Sequence, residues 1–94
     1  MCIFFNELPD EQQNTVRAIF ADPPPDILWL NVLILFDVLH SESHVSNGFL
    51  CVALNLHQEM RRGIFPYSGQ QGCISRHTVN ELRNYLRGVG VEPN

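Results

Sequence analysis

The sequence predicts an α+β domain in which an antiparallel hairpin is packed against helices. Three stretches carry that prediction. Phe49 to Leu56 (FLCVALNL) alternates in the manner of a half-buried strand, and GIFPY, from Gly63 to Tyr67, is a second short apolar run bounded by Gly and Pro. Their separation suits a hairpin with a modest turn. Beyond the loop SGQQG, Val79, Leu82, Leu86 and Val89 recur at steps of three and four, which puts them on one helical stripe. One sheet face needs the helix, and the helix stripe needs a sheet.

With 94 residues, 45% of them hydrophobic and 17% charged, the chain suits one domain with one core and is not a disordered tail. In chain order, a helix is expected from about Pro9 to Phe20, with Asp10 and Glu11 in its first turn, where the helix dipole favours acids. ADPPPD stops it, because three consecutive prolines hold the chain extended. This divides the chain into residues 1–25, a helix with a stiff spacer, and residues 26–94, the main domain. A second helix should run from Asp26 or Ile27 to about His40, with Trp29, Val32, Leu33, Phe36 and Leu39 on one face. Leu30, Ile34, Leu35 and Val38 fall elsewhere around the cylinder, so it must be covered on more than one side, by the first helix or by another chain. A homo-oligomer through residues 27–40 follows from the second option. SESHVSNG is expected to be a turn or a short polar edge strand.

The net charge of −4 hides an asymmetry. Up to Leu56 there are seven acids and one base; from His57 onward there are five arginines and three acids. No Lys is present, and Arg suits bidentate contact with phosphate or carboxylate. Three cysteines, Cys2, Cys51 and Cys73, share no CxxC or metal-ligand spacing, and their odd number suits a reducing cytoplasm. Cys51 is expected in the core, while Cys2 and Cys73 are candidate exposed thiols. The start lacks the basic leader of a secretory signal, and the apolar run ILWLNVLILFDVL is too short to span a bilayer, so no membrane segment is expected. No P-loop or nucleophile elbow is present, and neither a metal nor another cofactor is implied.

VRAIFADPPPDILW, CVALNLHQEMRRGIF and TVNELRNYLRGVGVEP, in that order, resemble the HicA-type toxins of bacterial toxin–antitoxin pairs, in a branch with an amino-terminal extension. The resemblance covers Thr15 to Pro93. It implies a fold like a small double-stranded-RNA-binding domain, with a three-stranded antiparallel sheet, helices on one face and an added amino-terminal helix. It also implies ribosome-independent mRNA cleavage, restrained by a HicB-type antitoxin protein. Cleavage without a metal needs an imidazole near neutrality to handle the 2′-hydroxyl or leaving-group proton, and cations for the charge on the phosphate. Here the chain departs from the pattern. The family's Gly-Ser-His aligns with Asn47, Gly48 and Phe49, and the branch's FHRPHP with FPYSGQ, neither of which holds a histidine.

His44, just before Phe49, becomes the candidate catalytic residue if strand pairing brings it to the site. His40, His57 and His77 have plain explanations: a helix end, a solvated turn and a helix start beside Thr78 and Glu81, which have capping-box spacing. None of the four histidines has a carboxylate partner visible in the sequence. For RNA contact the candidates are Arg61, Arg62, Tyr67, Arg76, Arg83 and Arg87. Adjacent strand residues point to opposite faces, so only one of Arg61 and Arg62 can share a face with a given site. Tyr67 is either a base-stacking ring or strand-end packing. Arg76, Arg83 and Arg87, at steps of seven and four, are either a phosphate track or a solvated helix face. Three functions follow: an RNA-cleaving toxin, a non-catalytic RNA- or antitoxin-binding module on the same scaffold, and a structural protein that oligomerises.

Overall fold

The computed structural model describes residues 5–56 and 59–93. A short 3-10 turn, Phe5–Glu7, leads into α1 (Asp10–Phe20), α2 (Trp29–Val38), β1 (Glu42–Ser46), β2 (Phe49–Leu56), β3 (Glu59–Pro66) and α3 (Arg76–Gly88). The three strands form one antiparallel sheet in the order β1-β2-β3. All three helices lie on the same side of it. The expected α+β fold with helices on one sheet face is the fold of the chain. Cys2 and His57 lie outside the described residues.

The helices form where the sequence places their apolar stripes. On α3, Val79, Leu82 and Leu86 are buried, with Val89 just beyond. Its cap is Ser75, whose Oγ accepts the Thr78 N–H at 3.2 Å, rather than Thr78 itself. The second helix is shorter than expected at both ends. Ile27 and Leu28 run extended beside Cys73 and Ile74, with Ile74 N–H donating to the Ile27 carbonyl at 2.9 Å. The Trp29 and Leu30 N–H groups then donate to the Gly72 and Gln70 carbonyls, both at 3.1 Å. Loop carbonyls thus satisfy two free donors of the helix start, in place of a side-chain cap. At its other end His40 sits in the left-handed region (φ 61°) and the Ser41 N–H reaches back to the Phe36 carbonyl, which closes the helix.

Trp29, Val32, Leu35, Phe36 and Leu39 are buried, with α2 packed on α1 and β1 and Phe36 edge-on to Tyr85 of α3. Of the large apolar residues on α2 only Ile34, 42% exposed, counts as an exposed one. The cover that the sequence demanded comes mostly from within the chain. An oligomer through residues 27–40 therefore loses the uncovered face that motivated it.

SESHVSNG resolves into strand β1 and a two-residue turn. Asn47 and Gly48, with φ of 53° and 79°, make the tight left-handed turn that suits a hairpin. β2 coincides with FLCVALNL, but β3 begins at Glu59, four residues before GIFPY. Its mainly charged start, Glu59 to Arg62, is held by pairing with Leu56 to Ala53 rather than by apolar pattern. Gly63 is needed where it stands: a Cβ there would lie 2.9 Å from the Phe65 ring and 3.0 Å from the Tyr85 ring. The missing side chain lets Tyr85 of α3 lie against the strand and pack edge-on to both Phe65 and Phe36.

Candidate functional site

The sheet has one covered and one open face, and strand register assigns each residue to one of them. Leu50, Val52, Leu54 and Phe65 point to the helices and are buried. Antiparallel partners share a face, so the alternate set faces away from every helix. That set forms three rows across the strands: Glu42–Ala53–Arg62, His44–Cys51–Ile64 and Ser46–Phe49–Pro66. Phe49 and Ile64 are 45% and 62% exposed, and Met60, on the same face beside Asn55, is 48% exposed. A shallow hollow of about 350 Å³ opens on this face, lined by Glu42, His44, Cys51, Ala53, Arg62 and Ile64 among others.

The register answers the question the sequence left open about His44. It is a strand residue, directly opposite Cys51 and one row from Phe49. His44 and Arg62 line the same hollow. Arg61 points to the helix side, where it lies 3.8 Å from Glu59 and its carbonyl accepts the Tyr85 hydroxyl at 2.9 Å. Burial pushes the Tyr85 phenol up to about 12. A smaller cleft of about 160 Å³ between β3 and α3 is lined by Arg61, Arg62, Asn84, Tyr85, Gly88 and Val89.

The remaining candidates are not gathered at this face. Tyr67 is half-buried edge-on to Trp29, with ring centroids 5.4 Å apart, and its N–H donates to the Gly48 carbonyl. Arg83 donates to the Ile19 and Ala21 carbonyls at 3.1 and 2.9 Å, holding the end of α1 against α3. Arg87 lies over the Phe20 ring and 3.4 Å from Glu92. Only Arg76 of that helical series has a side chain without such an engagement among the described residues. His77, for which the sequence shows no partner, pairs with Glu81 at 2.7 Å on the exposed side of α3.

One residue of the face differs from the sequence expectation. Cys51, expected in the core, lies half-exposed beside His44. In FLCVALNL both alternating sets are apolar, so periodicity alone leaves the inward phase undecided. The charges of β3 do not decide it either, since Arg61 and Arg62 are adjacent and fall on opposite faces; the phase is fixed by what packs against Leu50, Val52, Leu54 and Phe65. Among the described residues no group of three or more His, Cys, Asp or Glu side chains is placed to hold a metal ion. Nor is any helix among them long and apolar enough to cross a membrane. No protein-family model, curated protein or solved structure matches the chain.

Proposed function

We propose that the chain is a HicA-like, RNA-directed toxin of a toxin–antitoxin pair, and that the open sheet face is where it meets RNA. The resemblance of three segments in order supports this, as does the α-β-β-β-α succession behind an added helix. The observation that carries it is the shared placement of His44 and Arg62 around one hollow on an uncovered sheet. In this reading His44 handles the proton of the attacking 2′-hydroxyl and Arg62 holds the phosphate as its charge rises. A HicB-type antitoxin protein would act by covering the same face.

Incubation with labelled mRNA tests the assignment. The wild-type chain should cleave, His44→Ala should slow cleavage by about 100-fold or more, and Arg62→Ala should slow it as well. Cleavage at an unchanged rate in both variants would remove both roles.

The second reading, a binding module without chemistry, is favoured by Phe49 in the position of the family histidine. It predicts a band shift without cleavage that weakens as salt rises, with the salt slope reduced by roughly 0.7 in Arg62→Ala through loss of one phosphate contact. RNA binding that is absent, or that does not change with salt, would contradict it.

A further inference from the structure

We infer that the open sheet face is also a self-association surface, on which a second copy of this chain docks face to face. Three of the five exposed large hydrophobic residues of the chain's described part, Phe49, Met60 and Ile64, lie on this face. Half-exposed Ala53 lies between Glu42 and Arg62, and half-exposed Cys51 between His44 and Ile64, which leaves a low centre. Phe49, Cys51 and Ile64 adjoin one another, with Met60 beyond the row that holds Arg62, and exposed apolar residues gathered in this way mark an interaction site.

The charge pattern selects the occupant. Glu42 and Arg62 stand at opposite edges of the sheet in the same row, separated by Ala53, and among the described residues neither forms an ion pair within the chain. Consider a two-fold axis that lies in the interface and runs along β2. It lays β1 of one copy on β3 of the other and β2 on β2. The row Glu42–Ala53–Arg62 then meets itself reversed. Glu42 of each copy faces Arg62 of its partner at both ends, with Ala53 against Ala53 between them. In the next row His44 faces Ile64, and the two Cys51 side chains meet near the axis. An axis across the strands instead sets each charge over its own counterpart or over an uncharged row. The row with Glu42 at one end and Arg62 at the other is self-complementary in the first arrangement alone, as a two-fold interface requires.

The face is small. Strands of five to eight residues, three abreast, offer roughly half of the about 800 Å² per partner that a stable interface buries. The dimer is therefore weak and concentration-dependent. Because it covers His44 and Arg62, it competes with any other ligand of the face, yet its existence does not depend on what that ligand is.

Sedimentation of the full chain, without RNA, tests the proposal over roughly 5 to 500 µM, a range that brackets a weak self-association. The wild-type chain should pass from monomer to dimer. Arg62→Glu and Glu42→Arg should each weaken association about tenfold or more, because each sets like charges against each other at both ends. An equimolar mixture of the two variants should restore the dimer, since every facing pair is again opposite in sign. Circular dichroism of each variant confirms that these exposed substitutions leave the fold in place. A wild-type chain that stays monomeric throughout would overturn the proposal. So would single variants that dimerise as well as the wild type, or a mixture that remains monomeric.

Discussion

The two faces of the sheet are made from alternate residues of the same strands, and both are rich in apolar side chains. On the helix side Leu50, Val52, Leu54 and Phe65 are buried, with α2 against β1 and α3 against β3. On the other, Phe49, Cys51 and Ile64 stand beside His44 and Arg62 with nothing over them. Burial, not composition, separates the two faces. An apolar residue stabilises the fold by burial when an element closes over it, and one left uncovered is available to something outside the chain.

Neighbouring residues of β3 give the largest contrast. Phe65 is 3% exposed and Ile64 is 62% exposed. Phe65→Ala should cost about 3–5 kcal/mol in urea unfolding, whereas Ile64→Ala should cost under about 1 kcal/mol. Comparable losses at the two positions would break the distinction between the faces.

The next effect sharpens it. Gly63→Ala adds a methyl group on the helix side, against the Phe65 and Tyr85 rings, and should destabilise the chain by about 1–3 kcal/mol through overpacking. An unchanged midpoint would mean that α3 does not lie tightly on β3.

How much of this was legible depended on whether a residue's neighbours in sequence are also its neighbours in space. The stripe on α3 and the strand at Phe49–Leu56 are local patterns, and both are present as read. β1 has no buried residue to mark it, so only pairing with β2 defines it, although Asn47–Gly48 is a hairpin signal in its own right. The start of β3 is mainly charged for the same reason: it is an edge held by its partner. Arg83 reads as a member of a solvated or phosphate-binding stripe until the fold brings Ile19 and Ala21, more than sixty residues away, to its guanidinium. His44 is the opposite case. Its candidacy rested on a pairing that the sequence leaves open, and the pairing places it on the open face.

Two smaller effects probe the covered side. Ser75→Ala removes the one side-chain cap of α3 and should cost about 1 kcal/mol, read as a shift in the urea midpoint. Tyr85 gives a pH dependence. Its folded value of about 12 stands above the ordinary 10.0, so the folded chain keeps a proton that the unfolded chain releases. The contribution is complete below pH 10 and is lost as pH rises through the folded value. Unfolding at about pH 8 and about pH 11 should show a decline that is shallower in Tyr85→Phe; equal declines would place the phenol in water.

The working role of the open face is tested most directly by following backbone amide resonances while a single-stranded RNA oligonucleotide is added at fixed protein concentration. The shifts should cluster at His44, Cys51, Arg62 and Ile64, and leave Arg83, Arg87 and the rest of α3 unmoved. Shifts confined to α3, or none at all, would contradict the assignment of function to the uncovered side of the sheet.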